Sequence, residues 1–207
     1  MVAHPTGRTR AGRKSSVDHD RLLQAATTIA DDHGLDAVTF RALADRLGVS
    51  PMAVHRASGG IDALRHAMIA ELVEDAVAGL EWPRDWQGVV SVFAHGLRDL
   101  LLRHPLVLEA HRQASLDAPG ADDAAHHVVE ALASAGLDPE TAAYGYAAVH
   151  DFVTGHIAIR LGRGELELLA APAARRDASV FIDHHDYDRR FEVGLRLLIA
   201  GIEATAG

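Results

Sequence analysis

The stretch "VTFRALADRLGVSPMAVHRASGGIDAL", residues 38–64, decides the reading of this chain. It divides into two short helical segments around Gly48, and a third begins after the Gly59–Gly60 pair. Thr39 stands where a side-chain oxygen caps the first segment, and Ser50 stands likewise before the second. Pro51 then occupies a first helical position, where its missing N–H costs nothing. A helix-turn-helix needs a small residue in its first helix, a glycine in the turn and an apolar residue just after it. Ala44, Gly48 and Val49 meet those needs in order. The small side chain lets the second helix approach, and glycine accepts the left-handed backbone of the turn. An ordinary helical hairpin meets the same conditions, so the pattern alone leaves both readings open.

Outward from this stretch the chain reads as helical. Apolar residues recur at three- and four-residue spacing, and no β-branched run alternates as a strand would. A first helix over residues 20–34 turns Leu22, Leu23, Ala26, Ile29 and Ala30 inward and stops at Gly34. A fourth runs from about Ile61 to Leu80. Longer amphipathic segments follow over about 85–103, 106–116, 121–135 and 138–162, the last opened by Asp138 and Pro139. Residues 164–179 read as an irregular or partly helical connector. A final helix over about 184–204 carries Tyr187, Phe191, Leu195, Leu198 and Ile202 on one face. The expected fold is therefore all-α. It comprises a flexible basic arm (1–17), a three-helix unit with the helix-turn-helix (18–62) and a helical ligand-binding and dimerisation unit (63–207).

Charge is divided along the chain. The net charge is -9 over 207 residues. Residues 1–60 nevertheless hold eight Arg and Lys against six Asp, a balance of +2, while the remainder carries -11. Arg8, Arg10, Arg13 and Lys14 precede the first acid, so any polyanion contact belongs at the N-terminus. No apolar run approaches the roughly 20 residues needed to cross a bilayer, and no secretory signal pattern opens the chain. Without cysteine there is no disulfide, thiolate metal site or cysteine nucleophile. These features predict a cytoplasmic protein with no membrane partner.

Over "RLLQAATTIADDHGLDAVTFRALADRLGVSPMAVHR" the chain resembles the N-terminal domain of TetR-family transcriptional regulators. "HDFVTGHIAIRLG" and "RRFEVGLRLLIAGIEA" are similar to the two closing helices of its tetracycline-repressor-like branch. The resemblance implies a bacterial homodimeric repressor released from a palindromic operator by a small-molecule effector. It places Thr39, Arg41, Ser50, Met52, Ala53, His55 and Arg56 at double-stranded DNA. The N-terminus of the recognition helix offers N–H groups to phosphate, and Met52 and Ala53 offer apolar contacts, as to a thymine methyl. Three positions depart from the family pattern. His55 replaces a tyrosine, Ala57 replaces an aromatic or histidine, and Ile61 stands where a lysine often meets phosphate. Each lost phosphate contact lowers the salt slope of binding by roughly 0.9 log unit. A dimeric ligand-binding protein with weakened or lost DNA binding thus stands as the alternative.

In the body, Trp86, Phe93, Tyr146 and His150 combine aromatic surface with polar tips and are the expected ligand contacts. Gly145, Ala148 and Gly155 permit close helix packing and suit a dimer interface together with Phe191, Gly194, Leu198 and Ile202. The fourteen histidines include no H-x-x-x-H pair, so no metal site or cofactor is expected. Some tetracycline repressors, which the chain resembles, use histidine to help hold a metal-chelated drug, and the resemblance singles out His95, His104 and His111 for inspection. No nucleophile motif, phosphate loop or carboxylate pair suggests an enzyme.

Overall fold

Left-handed glycines and side-chain caps set the helix ends in the first third of the chain. The computed structural model describes residues 17–112, 118–169 and 186–206. Among them are α1 (His19–His33), a 3-10 turn (Leu35–Ala37), α2 (Phe40–Leu47), α3 (Pro51–Ser58) and α4 (Ile61–Ala78). There follow α5 (Trp86–Arg103), α6 (Pro105–Arg112), α7 (Pro119–Ser134), α8 (Pro139–Leu169) and α9 (Tyr187–Ala206). No strand occurs among the described residues. All of the expected basic arm except Val17 lies outside them, as do His184, His185 and most of the 164–179 connector.

Thr39 Oγ1 accepts a hydrogen bond from the Ala42 N–H at 3.2 Å, and Ser50 Oγ accepts from the Ala53 N–H at 3.2 Å. Between these caps Gly48 adopts φ 68°, and the Val49 N–H returns to the Ala44 carbonyl at 3.1 Å. A β-carbon at that φ would be strained, so the turn depends on glycine. The head closes over Leu22 and Ala26 of α1, Leu43 of α2 and Val54 of α3, all fully buried. Leu64 and Met68 of α4 complete that core, so α4 belongs to the head at its start.

The second half of α4 packs on α5 and α7 in the body. There α5 lies against α7 and α8, and α9 lies across α8 and α5. Val90, Leu101, Val128, Leu132, Val153, Ile157 and Phe191 are buried at these junctions. At about 25 cal/mol per Å² of apolar surface, each such side chain stabilises the fold by roughly 1.5–3 kcal/mol relative to exposure. One boundary differs from expectation, because α8 continues past Gly162 to Leu169. Nothing lies within 4 Å of a Cβ built on Gly162. An interior helical glycine costs only about 0.5–1 kcal/mol, and the following "RGELELL" is rich in helix formers.

A short helix ties head to body. His104, at the junction of α5 and α6, places Nδ1 2.9 Å from Asp31 Oδ2 on α1. Five residues on, Glu109 Oε2 accepts from the Leu35 N–H of the 3-10 turn at 3.3 Å. Both contacts meet the segment just before the helix-turn-helix.

Candidate DNA-reading head and effector cavity

At the reading end, α3 projects its first turn outward. Met52 is 64% exposed, Arg41, Ser50, His55 and Arg56 are exposed, and Ala53 is half-buried. Thr39 is also exposed, and its oxygen is engaged as the α2 cap. A capping hydroxyl keeps its own hydrogen, so Thr39 and Ser50 remain able to donate to phosphate while holding their helices. The His55 ring lies 5.1 Å from that of Phe40, which fixes an imidazole on the face carrying Met52 and Arg56. Arg46, at the end of α2, is a further exposed cation that sequence reasoning passed over. The departures at 57 and 61 have a physical setting. Ala57 and Ile61 are half-buried and pack against the core, so both contribute to the closure of the head.

In the body, helices α4 to α8 enclose a cavity of about 80 Å³. Phe93, Tyr146 and His150 line it, as does His111 from α6. Trp86 does not. It opens α5 beside Pro83, Val89 and His127, on a separate groove. The rings form a continuous row. Phe93 and Tyr146 centroids are 5.4 Å apart, Tyr146 and His150 are 5.9 Å apart, and His150 and His111 are 4.9 Å apart. Most of the remaining lining is aliphatic, including Val73, Val77 and Leu97. No Asp, Glu, Lys or Arg is among the described residues that line the cavity.

Burial shifts two of the cavity's titratable groups, His150 and Tyr146, toward their uncharged forms. Burial first, then the neighbouring His111, lowers the His150 pKa below the ordinary 6.5, against a pull upward from Asp151. Burial first, then Asp122 and Asp151, raises that of Tyr146. The His150 Nδ1 lies 3.5 Å from Asp151 Oδ1. Thr154 Oγ1 donates to the His150 carbonyl at 2.9 Å.

The three histidines singled out for a metal have other partners. His95 places Nδ1 2.8 Å from the Ser91 carbonyl and Nε2 2.9 Å from Glu192. His104 meets Asp31, and His111 meets His150. Among the described residues no group of three or more metal-ligating side chains converges.

The residues expected at a dimer seam fall into two sets. Ala148 and Gly155 are exposed on α8, and Leu198 and Ile202 are half-buried on α9. Phe191, fully buried, stacks on Phe152 at 5.6 Å within the chain. A Cβ on Gly194 would lie 2.5 Å from the Phe152 ring, and one on Gly145 would lie 3.0 Å from Leu132. These three therefore serve packing inside the subunit. The exposed apolar side chains nearby are Tyr144 and Ile159 on α8 and Val193 and Leu197 on α9.

Comparison with known proteins agrees with both halves of this architecture. Residues 22–68 match the family model described as bacterial regulatory proteins, tetR family, and residues 81–183 match the tetracyclin repressor-like C-terminal domain. An HTH-type transcriptional regulator of Saccharopolyspora erythraea is 28% identical, over 94% of this chain and 88% of its own length. The class C tetracycline repressor protein of Escherichia coli is 25% identical, over 91% and 92%. A solved possible TetR family regulator from Streptomyces coelicolor A3(2) superposes with a TM-score of 0.73 at 26% identity, over 91% of this chain and all of that one. With its helix-turn-helix head and helical body both matched, the chain belongs to the TetR family of bacterial transcriptional regulators.

Proposed function

We propose that two copies of this chain bind a palindromic operator as a repressor and release it when a small molecule fills the α4–α8 cavity. Residues 18–62 act as the DNA-binding unit, and residues 63–207 hold the effector and the partner subunit. The observation that carries this reading is the placement of α6. It lines the cavity through Val107 and His111, and it grips the head through Glu109, beside His104. A ligand that displaces α6 therefore acts on the segment leading into the helix-turn-helix. Thr39, Arg41, Ser50, Met52, Ala53, His55 and Arg56 are the proposed DNA contacts. Phe93, Tyr146, His150 and His111 are the proposed ligand contacts.

For dimerisation, Tyr144, Ala148, Gly155 and Ile159 follow one another at spacings of four and seven, on one face of α8. Val193 and Leu197 continue such a face on α9. Paired with their copies they form a four-helix seam. Nothing lies within 4 Å of a Cβ built on Gly155 or Gly201, which leaves room for close approach.

Fluorescence anisotropy with DNA flanking the protein's own gene, in a salt series with scrambled DNA as control, tests the reading. Preferential binding to a palindrome, weakening steeply with salt, is the expected result. Sequence-indifferent binding, also to sites selected from random DNA, removes it.

A further inference from the structure

The cavity's lining also restricts what enters it. Its four rings adjoin one another in sequence and most of the remaining lining is aliphatic, so the space suits an apolar, aromatic body. A charged ligand would lose its hydration in a cavity without a counter-charge among its described lining residues. With Asp151 Oδ1 beside Nδ1, the His150 proton is drawn to Nδ1 and Nε2 is left as an acceptor. Thr154 has already committed its hydroxyl hydrogen to the His150 carbonyl.

We infer that the effector is an uncharged aromatic molecule bearing a hydroxyl group, its ring against Phe93 and Tyr146 and its hydroxyl donating to the His150 imidazole. This rests on the cavity being the effector site. The protein's own side chains report the same preference, because burial keeps positive charge off His150, and burial with Asp122 and Asp151 keeps negative charge off Tyr146. His111, exposed at the rim, contributes the last ring of the row and marks the end at which α6 must yield.

The test uses the full-length protein and four probes of one ring size: p-cresol, toluene, 4-methylbenzoate and 4-methylbenzylammonium. Ligand-detected NMR titrations at neutral pH give the four affinities. p-Cresol is expected to bind about threefold to tenfold tighter than toluene, the increment of one hydrogen bond. Both charged probes are expected to bind about tenfold or more weaker than p-cresol. In His150→Phe the ratio of p-cresol to toluene affinity falls toward one. His126→Gln, at an exposed site outside the cavity lining, preserves that ratio. Tightest binding by either charged probe overturns the inference, and so does a hydroxyl preference that survives His150→Phe. Ala76→Phe, which fills the cavity, separates the two levels of the argument. Probes that bind wild type but not this variant, without preferring the hydroxyl, overturn the ligand class alone. Binding that is absent from wild type, or unaffected by cavity filling in a folded variant, overturns the cavity reading as well.

Discussion

His150 and His156 share α8, and the fold lowers the pKa of each below the ordinary histidine value of 6.5. For His150 the cause is burial, then His111, with Asp151 opposing. For His156 it is burial, then Arg190, opposed by a hydrogen bond to the Tyr187 backbone. Arg160 lowers it further, and Asp188 raises it. As pH falls through 6.5 the unfolded chain takes up these protons before the folded protein does. More protons on the unfolded state means that stability falls with falling pH, and the decline ends once the folded side chains are protonated too. Above 6.5 both states are neutral at these sites and the effect vanishes. Urea unfolding at fixed protein concentration should show a midpoint that drops between pH 7 and pH values below 6.5. His156→Phe, which keeps a ring against Phe152 and Phe191, should flatten that dependence. An unchanged slope in the variant would assign the pH sensitivity elsewhere.

Helix α9 meets α8 through a glycine and a ring, and this contact shows how packing decides what a sequence pattern leaves open. Gly194 leaves the space that the Phe152 ring occupies, and that ring in turn stacks on Phe191. Gly194→Ala should cost about 1–3 kcal/mol by overpacking, measured by chemical unfolding. Combining it with Phe152→Leu should recover part of the loss, a coupling that a double-mutant cycle reads directly. Such a contact was not legible beforehand, because a small residue looks the same whether it admits a helix of its own chain or of a second copy. What was legible was chemistry local to a few residues. The Thr39 and Ser50 caps, the Gly48 turn and the order of helices follow from side chains acting on their nearest backbone. The cavity was legible in part. The spacing of Trp86, Val90, Phe93 and Leu97 puts them on one face of α5, yet the cavity takes in only the later part of that face, from Phe93 onward. His111 reaches His150 across 39 positions of chain, a pairing that no local period encodes.

At the scale of the whole molecule, the question is which apolar surface the isolated subunit leaves to a partner. Leu197 is 68% exposed, Val193 39%, Tyr144 69% and Ile159 49%, all on the two helices that close the chain. A charge at the centre of such a seam meets its own copy across a two-fold axis, so the penalty is both desolvation and like-charge repulsion. Leu197→Glu should therefore convert the dimer to monomer in sedimentation measurements while helical content by circular dichroism persists. Operator affinity should fall on the order of a hundredfold, because two tethered heads act at a high effective concentration and two separate ones do not. Phe191→Leu supplies the contrast. Its ring is wholly enclosed within one subunit, so this change should lower the melting temperature and leave the oligomeric state intact. If Phe191→Leu dissociated the dimer and Leu197→Glu did not, the seam would lie on another face. The spacing of the two heads would then have to be set by different helices.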